Sequence, residues 1–485
     1  MAALALTDAL GRDRCSVTLL GQNSGGDEFA PFGQADATFA ANEIFYDALV
    51  MQENRIVRDT GASPTLGIAL GGWSGIATTY FHPFSSIGAS LGPLPFHQVA
   101  SKLRRDDVPV KLANYTLAAL AAQAGRFPAP GESRGNVRST CEPGLQINCA
   151  SLAEFLRREA LASGAELVDA TLQHVERNPD GAIRSLLTES GRRLEGDLFL
   201  DCSGSDALLV GAPGTTDWQD WSPWLRCNRV ATTVVMGDAV PPPYSYAEAH
   251  RGGWTRHIPL QGMTALAAHF DSGTLSDPEV LDLLQASVPG RKLATVQFTA
   301  VRPGCRSQPW VRNCVALGMA AAAIDPVGMS NLQLLRTAIS RLLTLLPAGP
   351  DSATEAAEFN RQSGLLLDHA RDFAMLHYKL NGRRGEAFWD ACREMSIPES
   401  LQYRMRLYES RGRVVQYDEE PIRDASWINL FDEHDVRPRH YNPIADGTDT
   451  ATLRQHADRV RAVMLEELGK MPTHADYLSR LGSSR

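Results

Sequence analysis

The apolar positions of the chain follow a helical period at its start and in its last third, with strand-like runs between. Met1–Leu10 is apolar on every side and predicts a buried helix, and Cys15–Leu20 then reads as a short buried strand. Helical patterns recur around residues 96–124, in Ser151–Ser163 and in Leu332–Leu346, where Pro347 ends the helix. From Ser330 onward the pattern is mostly helical.

Two groups of β-branched and apolar runs predict sheets in the middle of the chain. The first group is Glu166–Val175, Ala182–Thr188 and Asp197–Cys202; the second is Arg229–Met236, Met263–Phe270 and Leu293–Val301. We expect the second group to form an antiparallel sheet that walls a pocket, at about residues 228–301. A Gly/Pro-rich stretch at 126–144 separates the amino-terminal elements from these runs. The pattern as a whole predicts an α+β fold.

Composition and charge narrow the classes of function. The 485 residues carry 47 basic and 56 acidic side chains. The resulting formal charge of -9 argues against sequence-independent binding of nucleic acid. Eight scattered cysteines form no CxxC pair and no zinc-ligand spacing, so we expect no metal site. Neither a membrane-spanning run nor a signal peptide is evident, and we expect a cytoplasmic protein.

The order helix then strand at the start is half of a dinucleotide-binding unit. In such a unit a first strand and a glycine turn precede the helix, and an acidic residue that binds the ribose follows the second strand. Here the glycines are missing, and Gly21 and Gln22 follow the strand. An ordinary helix and strand that never bound a nucleotide is an equally good interpretation of this segment alone.

Three later stretches carry chemistry. "EGDLFLDCSG" ends a buried strand at Asp201 and places Gly204 where backbone can approach a ligand. "CVALGMAAAAIDPVGMSNLQLL" leads into a helix whose Ser330 and Gln333 fit a capping box, and whose first amides can bind an anion. In "TYFHPFSSIG", His82 and Phe84 are two apart and can flank an aromatic ligand. Core packing is an alternative interpretation of each.

Together these stretches resemble the flavin-dependent tryptophan halogenases over essentially the whole chain. The segments that carry the likeness are "TGASPTLGIALGGW", "FHPF", "GDLFLDCSG", "PWVRNCVALGMAAAAIDPVGMSNL", "RDFAMLHYK", "FWDACREMSIPESL", "ASWINL" and "MPTHADYL".

The resemblance implies a glutathione-reductase-like α/β domain that binds FAD, with reduced flavin supplied by a separate flavin reductase. Reduced flavin and oxygen would oxidise chloride or bromide to hypohalous acid. In the family a lysine then positions or carries the halogen for an aromatic substrate, and a glutamate handles the proton. We expect a small aromatic molecule or a peptide as substrate, and a homodimer by resemblance only.

The resemblance also assigns residues of this chain to roles. His82 and Phe84 match the side chains that sandwich indole, and Ser330 and Asn331 match the halide-binding pair. The expected flavin contacts are Gly33, Asp36, Thr38, Gly204, Met319 and Leu332.

The chain departs from the family at the positions that matter most. Thr65 stands at the lysine position and Gly328 at the glutamate position, and neither can take over the chemistry of the missing side chain. Arg256 replaces the second tryptophan of the WxWxIP signature, and Arg256 and His257 are candidate substitutes for the lysine. The flavin strap reads "GQADAT", so we expect FAD binding to be impaired.

Met1 aligns with the methionine of the family phrase that follows the glycine turn, so the first strand and its glycines would lie upstream. A start codon placed too late would explain their loss.

Two functions follow from the sequence: an FAD-dependent enzyme acting on an aromatic, indole-like substrate, or an inactive relative that serves as a binding or regulatory protein. We expect a truncated FAD-binding core at 1–347 and a helical part at 348–485 that covers the substrate pocket.

Overall fold

A computed structural model describes residues 1–21, 35–38, 53–129, 137–211, 217–238, 240–347, 349, 352–417, 420 and 422–483. Its α-helices are Ala2–Leu10, Glu53–Thr60, Phe96–Arg105, Leu117–Gln123, Cys149–Ser163, Asp277–Ala286, Asn331–Thr344, Ala353–Lys379, Ala387–Glu394, Glu399–Arg411, Asp424–Glu433, Thr450–Lys470 and His474–Ser483. Short 3-10 helices are Leu112–Tyr115, Val137–Thr140, Gly204–Asp206, Gly318–Ala320 and Pro443–Gly447.

The strands lie mostly in the first two thirds of the chain. They are Thr18–Gly21, Ala35–Thr38, Ser63–Thr65, Gly67–Gly71, Thr79–Pro83, Gly144–Asn148, Glu166–Asp169, Leu172–Arg177, Ile183–Thr188, Arg193–Leu194, Phe199–Asp201, Trp218–Asp220, Arg229–Met236, Ser245–His250, Gly253–Leu260, Met263–Phe270, Gln297–Ala300, Gly304–Arg306, Trp310–Val311, Cys314–Ala316 and Ala322–Ala323. The mixture of helices and sheets confirms the predicted α+β class.

A seven-stranded sheet forms the largest wall of the molecule. Its order is Gln297–Ala300, Arg229–Met236, Met263–Phe270, Gly253–Leu260, Ser245–His250, Gly67–Gly71 and Thr79–Pro83. All neighbours run antiparallel except Ser245–His250 and Gly67–Gly71, which are parallel. The predicted antiparallel wall is therefore present, and the glycine-rich hairpin that carries His82 extends it.

Two parallel pairs form the nucleotide-fold side of the molecule. Thr18–Gly21 pairs with Glu166–Asp169, and Phe199–Asp201 pairs with Cys314–Ala316. Helix Ala2–Leu10 packs on helices Cys149–Ser163 and Asn331–Thr344 and buries Ala3 to Thr7. An all-round apolar helix needs such a place, because every face must leave water.

One hydrophobic cluster extends from the amino-terminal helix to the carboxyl-terminal helices. Its fully buried aromatic residues include Trp73, Trp254, Trp389 and Trp427. The division at residue 347 stays a prediction. Within the described ranges, no helix is long and apolar enough to cross a membrane, and no cluster of side chains has the makeup of a metal site.

Candidate active site

His82 and Phe84 lie at the edge of the seven-stranded sheet, at and just beyond strand Thr79–Pro83. Both are buried, and their rings contact each other with centroids 6.4 Å apart at 72°. His82 Nε2 lies 3.2 Å from Ser426 Oγ, and burial lowers the pKa of His82 to about 4. The imidazole is therefore neutral near pH 7 and serves as a flat, polar-edged wall.

Aromatic side chains of the carboxyl-terminal helices pack beside this pair, and Phe373 makes the contact. Phe373 lies 5.8 Å from His82, 5.2 Å from His377 and 4.8 Å from Trp427, all measured between ring centroids. Trp427 is fixed by its Nε1 donating to Glu420 Oε1 at 2.7 Å. Phe373 and His377 were not predicted as site residues, although their four-residue spacing on one helix predicts a shared face.

Gly328, the glutamate position, lies directly against these rings. A Cβ built on Gly328 would meet Phe373 Cδ1 at 2.6 Å and His377 Nε2 at 3.2 Å. The structure thus brings His82 and Gly328 together at Phe373, and Phe84 contacts His82. Any side chain at position 328 would have to displace an aromatic ring.

Thr65, the lysine position, ends strand Ser63–Thr65 and is fully buried. Its hydroxyl donates to the carbonyl of Gly67 at 3.2 Å, and Gly67 begins the strand that pairs with Thr79–Pro83. The Thr65 proton is used within the chain, two residues from the hairpin that holds His82. Thr65 offers the pocket no ammonium and no amine.

Asp36 binds the start of helix Asn331–Thr344 and pairs with Arg256. Its carboxylate accepts from Ser330 Oγ at 2.7 Å and from the Leu332 amide at 3.1 Å, and it pairs with Arg256 at 3.1 Å. The Asp36 and Arg256 side chains are each 4 % exposed. The structure therefore places Arg256, a candidate substitute for the lysine, in an ion pair beside the helix that begins after Ser330.

The capping box at this helix is half formed. Ser330 Oγ accepts from the Gln333 amide at 3.2 Å, as predicted, but Gln333 Oε1 finds no hydrogen-bond partner among the described residues. Asp36 supplies the second capping contact instead. Ser330 and Asn331, the predicted halide pair, thus lie beside a neutralised carboxylate, and the Asn331 side chain donates to the Ile324 carbonyl at 3.4 Å.

A cavity of about 20 Å³ lies beside Met319 and Asn331 and is lined further by His269, Cys227 and Asp325. This is room for about one water. Asp325 accepts from the Tyr378 hydroxyl at 2.5 Å, and Trp254 Nε1 donates to the same hydroxyl at 2.9 Å. Burial raises the pKa of Asp325 to about 6, against the lowering effect of these hydrogen bonds.

His257, the other candidate substitute for the lysine, lies on strand Gly253–Leu260 next to Arg256. Its ring contacts Tyr246 at 5.8 Å, and burial lowers its pKa to about 4. Because neighbouring strand residues point to opposite faces, His257 is directed away from the Asp36 pair.

The predicted flavin side fits a dinucleotide in its backbone. Gly21 and Gly204 end or follow parallel strands, and a Cβ on either would meet no described residue within 4 Å. Open glycines at the ends of parallel strands are among the features with which such folds accept a cofactor.

The turn at Gly204 is held by Asp201, which accepts from the amides of Leu209 and Val210 at 2.8 Å each. Asp201 thus supports the backbone rather than facing a ligand. Gly33 lies outside the described residues, and only the backbone of Thr38 is described.

The fold is that of the flavin-dependent halogenases of known structure. A flavin-dependent halogenase of Brevundimonas sp. BAL3 superposes with a TM-score of 0.91 at 32 % identity, covering 99 % of this chain and 96 % of that one. A flavin-dependent halogenase of Xanthomonas campestris superposes with a TM-score of 0.92 at 32 % identity, covering 100 % and 96 %.

The family model for tryptophan halogenases matches residues 1–450, and the chain belongs to this family. The tryptophan 6-halogenase of Streptomyces albogriseolus is 28 % identical over 390 residues, which are 76 % of this chain and 72 % of that protein. These findings confirm the predicted family and fold.

The predictions of FAD and halide, of a flavin reductase as partner and of an aromatic substrate are confirmed at the level of the family. The homodimer and the roles of individual residues stay predictions.

Proposed function

We propose that the chain is an FAD-dependent oxidoreductase that modifies an aromatic, indole-like substrate with reduced flavin, oxygen and chloride or bromide. The observation that carries the proposal is the row of ring contacts from Phe84 through His82 and Phe373 to Trp427, in which Phe373 lies against Gly328. Aromatic rings attract one another by offset stacking and edge contacts at centroid distances of about 4.5–7 Å, and a flat substrate ring would be held in the same way.

The residues of the chain would bind and orient this ring. His82 and Phe84 offer one wall from the sheet, and Phe373 and Trp427 offer the other from helices Ala353–Lys379 and Asp424–Glu433. The division into a core at 1–347 and a cover at 348–485 is part of this proposal, because the second wall comes entirely from the cover.

Gly21, Gly204, Met319 and Leu332 would lie along the flavin, which when bound supplies the reducing equivalents that let oxygen oxidise halide. Ser330 and Asn331 would hold the halide, with the guanidinium of Arg256 nearby. Thr65 leaves the electrophile without an amine carrier, so the position of the bound ring alone would have to select the carbon that reacts.

The test is a reaction of the chain with FAD, NADH, a flavin reductase, oxygen, bromide and indole, followed by mass spectrometry of the products. We expect brominated or hydroxylated indole from the wild type. We expect at least about a tenfold smaller yield from Phe84→Ala, because the ring then loses one wall.

The matched control is Phe298→Ala, which removes a partly buried phenylalanine of the second hydrophobic cluster. Its yield should stay close to wild type. A wild-type reaction without any indole product, although FAD binds, would contradict the proposal.

A second candidate function is a catalytically inactive relative that binds an aromatic ligand or a partner. Thr65 and Gly328 favour it, since neither position carries the side chain on which family catalysis depends. This candidate predicts that indole binds and raises the midpoint of thermal unfolding while no product forms under any halide.

A further inference from the structure

A hydrogen-bonded relay of two histidines and a tyrosine ends at the aromatic cluster. His377 Nδ1 lies 3.3 Å from the Tyr80 hydroxyl, and that hydroxyl lies 3.2 Å from His434 Nε2. His434 Nδ1 in turn lies 2.9 Å from the Leu380 carbonyl. The relay connects the hairpin strand Thr79–Pro83 with helix Ala353–Lys379 and the end of helix Asp424–Glu433.

The Leu380 carbonyl at one end of the relay determines which group donates and which accepts in each of its hydrogen bonds. A carbonyl oxygen only accepts, so His434 Nδ1 carries a proton. Burial lowers the pKa of His434 to about 4, so the ring is neutral and its Nε2 is an acceptor. Tyr80 must therefore donate its single proton to His434.

The same reasoning fixes the tautomer of His377. Because the Tyr80 proton is directed at His434, the Tyr80 oxygen can only accept from His377 Nδ1. Burial keeps the His377 imidazole neutral by lowering its pKa well below 6.5. Nε2 of His377 then carries a lone pair and no proton.

That lone pair lies in the aromatic cluster and is unused. His377 is 1 % exposed, and its Nε2 has no hydrogen-bond partner in the part of the chain that the structure describes. A Cβ on Gly328 would lie 3.2 Å from this nitrogen. A bare acceptor therefore stands where the family's glutamate side chain would begin.

We propose that His377 Nε2 is the proton acceptor of the aromatic pocket and that Tyr80 and His434 are positioning residues that hold it in its accepting tautomer. The proposal rests on the proposed function. It assigns to His377 the task that the resemblance gives to a glutamate at position 328.

In the halogenation step, hypohalous acid transfers its halogen to a ring carbon as the halogen–oxygen bond breaks and hydroxide leaves. The C–H bond of that carbon then breaks, its electron pair returns to the ring and its proton moves to Nε2. Hydroxide takes the proton from the imidazolium and leaves as water. A neutral imidazole suffices because the intermediate ring cation is strongly acidic.

The groups around His377 are mostly uncharged. Phe373 and Trp73 contact its ring at 5.2 and 5.8 Å, and the titratable groups that act on it electrostatically are His82 and His434. Burial raises the pKa of Tyr80 well above its ordinary value, and the nearby Glu433 raises it further. The relay thus stays in one protonation state across the neutral range.

The test reads the tautomer directly, without turnover. In protein labelled with ¹⁵N-histidine, a long-range ¹H–¹⁵N spectrum separates protonated from bare imidazole nitrogens, and His377→Gln identifies the signals of His377. We expect a protonated Nδ1 and a bare Nε2 from about pH 5 to 8. A protonated Nε2 would overturn the proposal.

A second variant tests the relay. Tyr80→Phe removes the acceptor of the Nδ1 proton, so we expect a mixture of tautomers at His377 and at least about a tenfold loss of turnover. Tyr115→Phe, at another buried tyrosine, is the control and should leave the His377 signals unchanged. An unchanged tautomer in Tyr80→Phe would contradict the positioning role.

The catalytic role of His377 is tested by the rate of turnover of ring-deuterated indole. In His377→Gln, turnover should fall by about 10²- to 10⁴-fold and a deuterium isotope effect should appear, because proton removal becomes slow. Full turnover without an isotope effect would overturn the catalytic role. Failure of the proposed function instead shows as a wild type without product, whatever tautomer the spectrum reports.

Discussion

Gly328 shows how a single residue can close off a known chemistry. A Cβ at this position would lie 2.6 Å from Phe373 Cδ1 and 3.2 Å from His377 Nε2, so a side chain here would crowd both rings. A glutamate at position 328 would therefore require Phe373 and His377 to move before it could take part in catalysis.

We expect Gly328→Glu to lower the free energy of unfolding by about 1–3 kcal/mol, because it overpacks a buried site and buries a carboxylate. Chemical denaturation followed by fluorescence measures the change. Adding Phe373→Leu should recover part of it, while Gly469→Glu, where a Cβ meets nothing within 4 Å, should be near neutral. Equal stability of Gly328→Glu and wild type would disprove the crowding.

Single residues were predictable where the signal was local. The two-residue spacing of His82 and Phe84 predicted that they point the same way, and their rings lie side by side; the helix start predicted the Ser330 cap. His377 was not predictable in this way, since its partner Tyr80 lies 297 residues away and only the fold brings them together. Thr65 and Gly328 gained meaning from resemblance alone.

At the scale of elements, the start of helix Asn331–Thr344 depends on a strand far away in sequence. Asp36 on Ala35–Thr38 binds Ser330 Oγ and the Leu332 amide, and it neutralises Arg256. A negative side chain at a helix start is favourable, and here it is also buried.

We expect Asp36→Asn to destabilise the protein by about 3–5 kcal/mol, because Arg256 would remain charged and buried without its partner. Glu166→Gln breaks the Arg192 pair, whose side chains are 51 % and 60 % exposed, and should cost no more than about 1 kcal/mol. Urea unfolding of both variants gives the comparison. A loss of similar size in the two would argue against a buried ion pair.

Elements with a clear period were predicted well. Arg229–Met236 and Met263–Phe270 have the predicted bounds, since β-branched and apolar residues alternate with few interruptions. Gly67–Gly71 was missed because its glycines and alanine favour no strand locally; its pairing with Ser245–His250 and Thr79–Pro83 makes it one. Partner strands supply what local propensity lacks.

At the scale of the whole molecule, buried histidines couple stability to pH. Burial lowers the pKa to about 4 in His82, His250, His257 and His434 and to about 3 in His269. The unfolded chain binds these protons below about pH 6.5 and the folded chain does not, so stability falls as pH decreases from there. Burial also raises the pKa of several carboxyl groups, and these act in the opposite direction: Asp325, to about 6, and Glu142, Asp372, Glu420 and Glu433.

We expect the free energy of unfolding to decrease between about pH 6.5 and 4, each such histidine contributing at most about 1.4 kcal/mol per pH unit. Urea unfolding at a series of pH values measures the slope. His257→Gln should reduce this slope by the contribution of one histidine. His440→Gln, at an exposed position, is the control. A stability that rises on acidification in this range would contradict the burial of these rings.

The family and the fold class could be predicted from the sequence because motifs spread along the chain carry them. The closed packing at Gly328, the paired state of Asp36 and the relay at His377 could not, because each joins side chains about 50 to 300 residues apart. Such contacts depend on topology rather than on local pattern.

The central claim is that this chain modifies an aromatic ring without a lysine. The most direct measurement is the product mass spectrum of indole after reaction with FAD, flavin reductase, NADH, oxygen and bromide, run side by side for wild type, Thr65→Val and Thr65→Lys. We predict the same modified indole from wild type and Thr65→Val. Product from Thr65→Lys alone would contradict the claim.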